Sequence, residues 1–370
     1  MMNRGEQFLC ICLDKWGYLE EMIYKIGYEQ LQDKFDIIGF NLLSIIFGNT
    51  ISAHLNFLSY LNYAKPIVSF PKIAAIVVTY HPQWSELEKL LLAALPQFTQ
   101  IIIVDNGSNP DEIQLIADFV KGHPIRFYAL GENLGVAAAQ NTSITIAKES
   151  GAQYIVLFDQ DSVPGSDMAV KLLQAHLLKE AQGLKVAAVG PNYFNLNRAD
   201  ETLKPFVNIQ GFSLVHHDVR GTENIVPVSH VIASGCLISM KCIDIVGLMR
   251  EDLFIDFVDL EWAYRAKSLG FVSFGVCDAV MQHGLGEQRI RILGKNFLFH
   301  NPIRHYYQFR NGIWLNRQSY IPMRHRIGES FRLSRRFICC ALLARPYGEN
   351  LRMLFKGVLH GLTGRLGKVK

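Results

Sequence analysis

The 370-residue sequence predicts an α/β fold in which a mostly parallel sheet is flanked by helices. Three observations lead there. From residue 72 onward, short β-branched apolar runs alternate with amphipathic helical stretches. Turn-forming clusters separate them at the spacing of βαβ units, and carboxylates stand where the strands end. Residues 73–80 (IAAIVVTY) are the first run, of buried-strand length. Ser85 with Glu88 three residues on reads as a capping box, opening a helix whose Leu87, Leu90, Leu91, Ala94 and Leu95 share one face. Residues 101–105 form the next strand. Asn106-Gly107-Ser108-Asn109-Pro110 is dense turn chemistry that leads into a second helix. A strand at 126–130, a helix at 136–149, and strands at 154–159 and 186–190 follow. After Pro191 the pattern is mixed, with short strands at 212–215 and 233–238, a helix at 259–269 and a strand at 271–277.

Charge divides the chain unevenly. Residues 301–370 hold 14 Lys and Arg against Glu329 and Glu349, or +12, so a net charge of +4 leaves about −8 on the first 300. A basic end of this kind suits an anionic membrane surface. No nucleic-acid partner is expected. Arg324, Arg326, Arg332, Arg335, Arg336 and Arg345 would face lipid, with Phe331, Ile338 and Leu342 able to insert. Seven scattered cysteines without paired CxxC knuckles argue against structural zinc and for a reducing compartment. The N-terminus lacks the pattern of a signal peptide. Residues 37–64 carry no Asp, Glu, Lys or Arg, but four asparagines dilute them. A membrane span, an interfacial helix and ordinary packing all stay open there. The division expected is an N-terminal extension (1–71), a catalytic domain (72–320) and a basic amphipathic tail (321–370).

Open parallel sheets bind ligands beyond the carboxyl ends of their strands. Here those ends read Thr79-Tyr80, Asp105-Asn106 and Asp159-Gln160-Asp161. No GxxxxGK[ST] or GxGxxG is present, so a nucleotide must be held another way. Two carboxylates at i and i+2 can share a hard cation if the chain turns after Asp159, and Mg²⁺ and Mn²⁺ favour such oxygen ligands together with substrate phosphates. His283, among glycines after a strand, could supply a third ligand or a diphosphate contact. Asp252, Asp256, Asp259 and Glu261 form an acidic, half-apolar segment suited to a general base, or to a helix N-terminus that favours acids. Arg304 and Arg310 could grip a diphosphate bidentately.

Taken together, these residues resemble glycosyltransferase family 2, and within it the bacterial rhamnosyltransferases. The resemblance rests on Val77-Val78-Thr79-Tyr80, Val104-Asp105-Asn106-Gly107-Ser108, residues 132–141 (ENLGVAAAQN), Leu157-Phe158-Asp159-Gln160-Asp161-Ser162, the acidic segment at 256–262 and Arg310-Asn311. Gln140 and the DQDS spacing point to the rhamnosyl branch. The match covers residues 73–318, and residues 1–71 lie outside it. It implies a GT-A fold, with a Rossmann-like nucleotide-binding half, a mixed acceptor half and helical extensions. Thr79, Tyr80, Asp105 and Asn133 would then hold the nucleoside, with Asp159 near ribose and metal and Asp161 the direct ligand. Asp259 takes the position of the base, with Glu261 as the neighbouring alternative. The implied reaction is inverting transfer of a sugar, L-rhamnose from dTDP-L-rhamnose, to a hydroxyl of a lipid-linked or surface saccharide. The protein would sit in the cytoplasm at the inner face of a bacterial membrane. A nucleotidyltransferase would share the sheet but carry a basic glycine loop after the first strand, where this chain has His81-Pro82-Gln83-Trp84. A non-catalytic relative would have lost some of the acids.

Overall fold

A computed structural model describes residues 71–194, 206–210, 213–217, 223–283, 289–292, 295–298 and 300–369. The readings made for residues 1–70, including the uncharged stretch 37–64, lie outside the described residues.

The first half builds the expected βαβ units. Strand β1 (Ile73–Thr79) pairs in parallel with β2 (Gln100–Asp105) on one side and with β4 (Tyr154–Asp159) on the other, and β3 (Ile125–Ala129) adds to β2. Helices α1 (Trp84–Ala94), α2 (Pro110–Val120) and α3 (Val136–Glu149) connect them. β1 is buried on both faces, which explains its unbroken apolar run: Ala74 and Ile76 pack in one core layer, Ala75 and Val77 in the other. The capping box expected at Ser85 and Glu88 does not form. The helix starts one residue earlier, at Trp84, with Gln83 at the cap and no side-chain bond there. A capping box stands at α2 instead, where Pro110 fills N1 and Glu112 Oε2 accepts from Asn109 N at 2.8 Å.

The second half is mixed. β5 (Ser162–Pro164) and α4 (Met168–Ala181) precede β6 (Val186–Phe194), β7 (Phe206–Gln210), β8 (Ser213–His217), β9 (Ile225–Val228) and β10 (Cys236–Ser239). After α5 (Met240–Val246) and α6 (Val258–Ser268) comes β11 (Val272–His283). The central sheet runs β3-β2-β1-β4-β10-β6-β11-β5, with β10 antiparallel to both its neighbours. β11 is longer than its apolar run. A register shift against β6 between Val276 and Val280 lets it continue to His283, which pairs opposite Ser162 of β5. β12 (Arg289–Ile292) and β13 (Lys295–Leu298) form a separate hairpin.

Residues 300–369 add α7 (Pro302–Leu315), α8 (Met323–Leu343) and α9 (Tyr347–Thr363). The stretch expected as a surface-seeking tail packs closely on α7. Phe309, Leu333, Cys340, Ala344 and Leu354 form a small core there. A Cβ at Gly357 would meet Tyr306 O at 2.6 Å, so α9 approaches α7 backbone to backbone. Among the described residues no helix is long and apolar enough to cross a membrane.

Candidate active site

The carboxyl ends of β1, β2 and β4 open onto a cleft of about 1420 Å³. Register places Thr79 beside Asp105, and Thr79 Oγ1 donates to Asp105 Oδ2 at 2.8 Å. The other oxygen, Oδ1, accepts from Gly107 N at 3.0 Å and Ser108 N at 2.8 Å. Thr79 and Asp105 are fully buried and do not line the cleft, so the expected direct contact of both with base and ribose is not what the structure presents. Instead they fix the turn that presents Asn106. Asn106 Nδ2 donates to Asn133 Oδ1 at 3.1 Å, and both asparagines line the cleft. Gly107 makes this possible: its φ is +94°, and a Cβ would lie 2.5 Å from the Glu132 carbonyl carbon. Tyr80 lies exposed at the cleft wall. Its backbone N–H donates to Gln160 Oε1 at 2.8 Å, which ties the end of β1 to the turn after β4.

That turn brings Asp159 and Asp161 to the same side, and the extension of β11 delivers His283 against them. His283 Nδ1 lies 3.7 Å from Asp161 Oδ1, and Nε2 lies 4.0 Å from Asp159 Oδ2. One potential ligand atom from each of the three falls within 4.8 Å of the others. Ser162 Oγ is 2.7 Å from His283 Nδ1, and Ser234 Oγ donates to Ser162 Oγ at 2.7 Å. This chain of hydroxyls orients the ring through Nδ1, as an outer hydrogen bond orients a metal-bound imidazole, and leaves Nε2 towards Asp159. Two carboxylates and one imidazole fit a divalent cation, and the nitrogen suits Mn²⁺ better than Mg²⁺. Sequence reasoning missed Ser162 and Ser234. Ser162 stood inside a quoted motif, whereas Ser234 gave no signal.

Withdrawal from water raises the Asp159 carboxyl above its ordinary range, reinforced by Asp161 and Asp259, while His283 and Arg304 act in the opposite sense. Burial likewise raises Asp161, opposed by His283. Without a cation, the folded chain therefore holds protons here more tightly than the unfolded chain does. The pair's contribution to stability is present at low pH and declines as pH rises through the raised values. A bound cation favours the ionised forms and offsets that decline. Thermal unfolding from pH 4 to 8, with and without Mn²⁺, is expected to show a midpoint gain that grows with pH; a gain independent of pH would contradict this.

Asp259 enters the cleft from the first turn of α6. Glu261 points the other way and is fully buried. Arg265 grips it at 3.0 and 2.9 Å, and Tyr320 Oη donates to its Oε1 at 2.8 Å. The geometry thus separates the two neighbours. Glu261→Gln is expected to destabilise the chain by about 3 kcal/mol, the cost of breaking a buried ion pair, while Asp259→Asn leaves the urea midpoint nearly unchanged. Equal midpoints for both variants would count against this division.

The segment ahead of Asp259 is strained, with Phe254, Asp256 and Phe257 at φ of +67°, +62° and +65°. Asn311 Nδ2 donates to the carbonyls of Leu253, Ile255 and Asp256 at 3.0, 2.8 and 2.9 Å. Arg310, expected to contact the donor, is fully buried behind this segment. It donates to Leu253 O at 2.8 Å and also to Gly367 O. These bonds tie it to the segment ahead of Asp259, and Arg304, not Arg310, lines the cleft.

Comparison with known proteins identifies the family. Residues 75–225 match the model of Glycosyl transferase family 2. The chain is 34% identical over 253 residues to the dTDP-rhamnosyl transferase RfbF of Shigella flexneri, covering 68% of this chain and 82% of that protein. Among solved structures, S. aureus TarS 1-349 in complex with UDP-GlcNAc has a TM-score of 0.52 at 13% identity, covering 78% of this chain and 81% of that one. GalNAc-T7 with UDP, GalNAc and Mn²⁺ has a TM-score of 0.53 at 13% identity, covering 80% of this chain and 57% of that longer one. At these identities the structural likeness speaks for the fold alone, which is GT-A. With its sheet, its cleft and this kinship, the chain belongs to glycosyltransferase family 2 and is a rhamnosyltransferase-like glycosyltransferase.

Proposed function

We propose that the protein transfers L-rhamnose from dTDP-L-rhamnose to a saccharide hydroxyl with inversion at the anomeric carbon. The observation that carries the mechanism is that Asp259 and the Asp159–Asp161–His283 group line one cleft. An acceptor hydroxyl must lose its proton as it attacks, and the Asp259 carboxylate is placed to take it. The new glycosidic bond forms as the bond from the anomeric carbon to the diphosphate oxygen breaks, and attack from the opposite face inverts the configuration. Mn²⁺ or Mg²⁺ held by Asp161, Asp159 and His283 would offset the charge on the departing diphosphate. Asn106, Asn133 and Tyr80 would seat the nucleoside. The choice of donor is supported by the likeness to the Shigella protein. Nucleotide release from a panel of nucleotide-sugars by purified protein with Mn²⁺ is expected to favour dTDP-L-rhamnose. Preferential turnover of another sugar would overturn the donor, and turnover of none would overturn the reaction.

The acceptor in this reading is lipid-linked, and the protein lies on the inner face of the membrane. Support comes from α8, where Met323, Ile327, Phe331, Ile338 and Leu342 are exposed along one face, Phe331 at 79%. The lipid-facing arginines narrow to Arg324, Arg335 and Arg345. Arg326 donates to Ile321 O and Gln318 O, Arg332 pairs with Glu329, and Arg336 turns into the cleft. Attraction through exposed charges is screened beyond about 10 Å in physiological salt. Liposomes containing anionic lipid are therefore expected to sediment the protein at low salt and to release part of it at high salt, the apolar face retaining the rest. No sedimentation at low salt would contradict membrane docking.

A further inference from the structure

The segment that follows α9 ties together several elements that border the cleft. Leu366 packs against the core layer that holds Ala74 and Ile76. Gly367 N donates to Asp252 O at 2.7 Å, and Gly367 O accepts from Arg310, which anchors the segment to the loop ahead of Asp259. Val369 N donates at 2.9 Å to the Oη of Tyr307, a residue that lines the cleft. Between these anchors Lys368 reaches the loop after β3. Its Nζ donates to Asn133 O at 2.8 Å and lies 3.8 Å from Glu132 Oε2. That loop is bent by Gly131 and Gly135, at φ of +80° and +97°, and Leu134 within it is exposed. On the cleft side Asn106 holds it, since Asn106 Nδ2 donates to Asn133 Oδ1 and Asn106 Oδ1 accepts from Leu134 N at 2.9 Å. Lys368 takes the backbone carbonyl of the same Asn133.

We propose that Lys368 is a positioning residue for the donor nucleotide: it holds Asn133, and with it the Asn106–Asn133 pair, in the arrangement that receives the nucleoside. A loop fixed before its ligand arrives does not have to be ordered by binding, so the hold contributes to affinity. The Lys368 ammonium is half-exposed, so its ion pair with Glu132 adds little to overall stability. The effect of Lys368 is therefore on the nucleoside seat and not on the fold. Through Gly367 the same segment joins that seat to the loop ahead of Asp259. The inference rests on the reading in which Asn133 seats the nucleoside.

The test is calorimetric binding of dTDP to the full chain with Mn²⁺ present. Lys368→Ala is expected to weaken dTDP about tenfold, the scale of one charge-assisted hydrogen bond, while the urea midpoint stays at the wild-type value. In turnover the same variant should raise the donor KM by a similar factor, with kcat within about twofold of wild type. Lys368→Arg can still donate to the Asn133 carbonyl and should recover most of the affinity. A double-variant cycle separates this role from a general structural one. If Lys368 acts through Asn133, Asn133→Ala weakens dTDP by itself, and adding Lys368→Ala costs nothing further. An additional loss in the double variant would mean that Lys368 acts by another route and would overturn the inference. So would unchanged dTDP affinity in Lys368→Ala while Asn133→Ala binds weakly. Full dTDP affinity in Asn133→Ala would remove the nucleoside seat itself, and the inference with it. A wild-type chain that binds no dTDP would overturn the choice of donor nucleotide as well.

Discussion

Asp161→Ala is expected to reduce sugar transfer by about 10³-fold or more, the scale of losing a cation that neutralises a departing diphosphate. The fold should survive. Asp161 lies beyond β4 in a turn whose attachment to β1 runs through Gln160, so circular dichroism and the urea midpoint should match the wild type. Asp159→Ala should be nearly as severe, because it shares the same side of the turn and the same imidazole. Ser162→Ala is the subtler variant. It removes the hydroxyl 2.7 Å from His283 Nδ1 and should weaken Mn²⁺ affinity by about 10–100-fold, as losing an outer-shell partner does. Electron paramagnetic resonance of free Mn²⁺ reads this directly. Unchanged Mn²⁺ affinity in Asp161→Ala would remove the cation from that residue.

The second large effect is expected at Asp259. Asp259→Asn keeps the volume and removes proton acceptance, so transfer should fall by about 10²–10⁴ while donor affinity holds. Glu261→Gln provides the converse, because Glu261 is engaged by Arg265 and Tyr320 and does not line the cleft. Its transfer rate per folded molecule should stay close to wild type while its stability falls. If Glu261→Gln proved the catalytically severe change, the base would have to be reassigned and the cleft would have to rearrange on binding substrate.

The βαβ half was legible because hydrophobic period and turn residues report directly on local structure. The helix at 136–149 and the strand at 154–159 agree with the structure to the residue. The carboxylates at strand ends were legible for the same reason. His283 stood out only as a lone histidine, since a shift in strand register, which no local pattern encodes, carries it beside Ser162. Arg310 illustrates the opposite failure. Its charge suggested an anion, but a guanidinium satisfies itself equally on backbone carbonyls, and here it holds those of a loop whose left-handed residues are Phe254, Asp256 and Phe257 rather than glycines. Non-glycine residues give no warning of positive φ, so the loop and its clamp by Asn311 were hidden. The basic end misled in part as well. Arginine content described its surface, while Gly357 and Gly361 decided how closely α9 packs on α7.

Donor cleavage is expected to depend on a cation at Asp159, Asp161 and His283. The most direct test is nucleotide release from dTDP-L-rhamnose by the wild-type chain, first with Mn²⁺, then with EDTA, then with Mn²⁺ restored. Turnover, its loss and its recovery are expected in that order, with Asp161→Ala inactive throughout. Undiminished release in EDTA, or full activity in Asp161→Ala, would contradict that dependence.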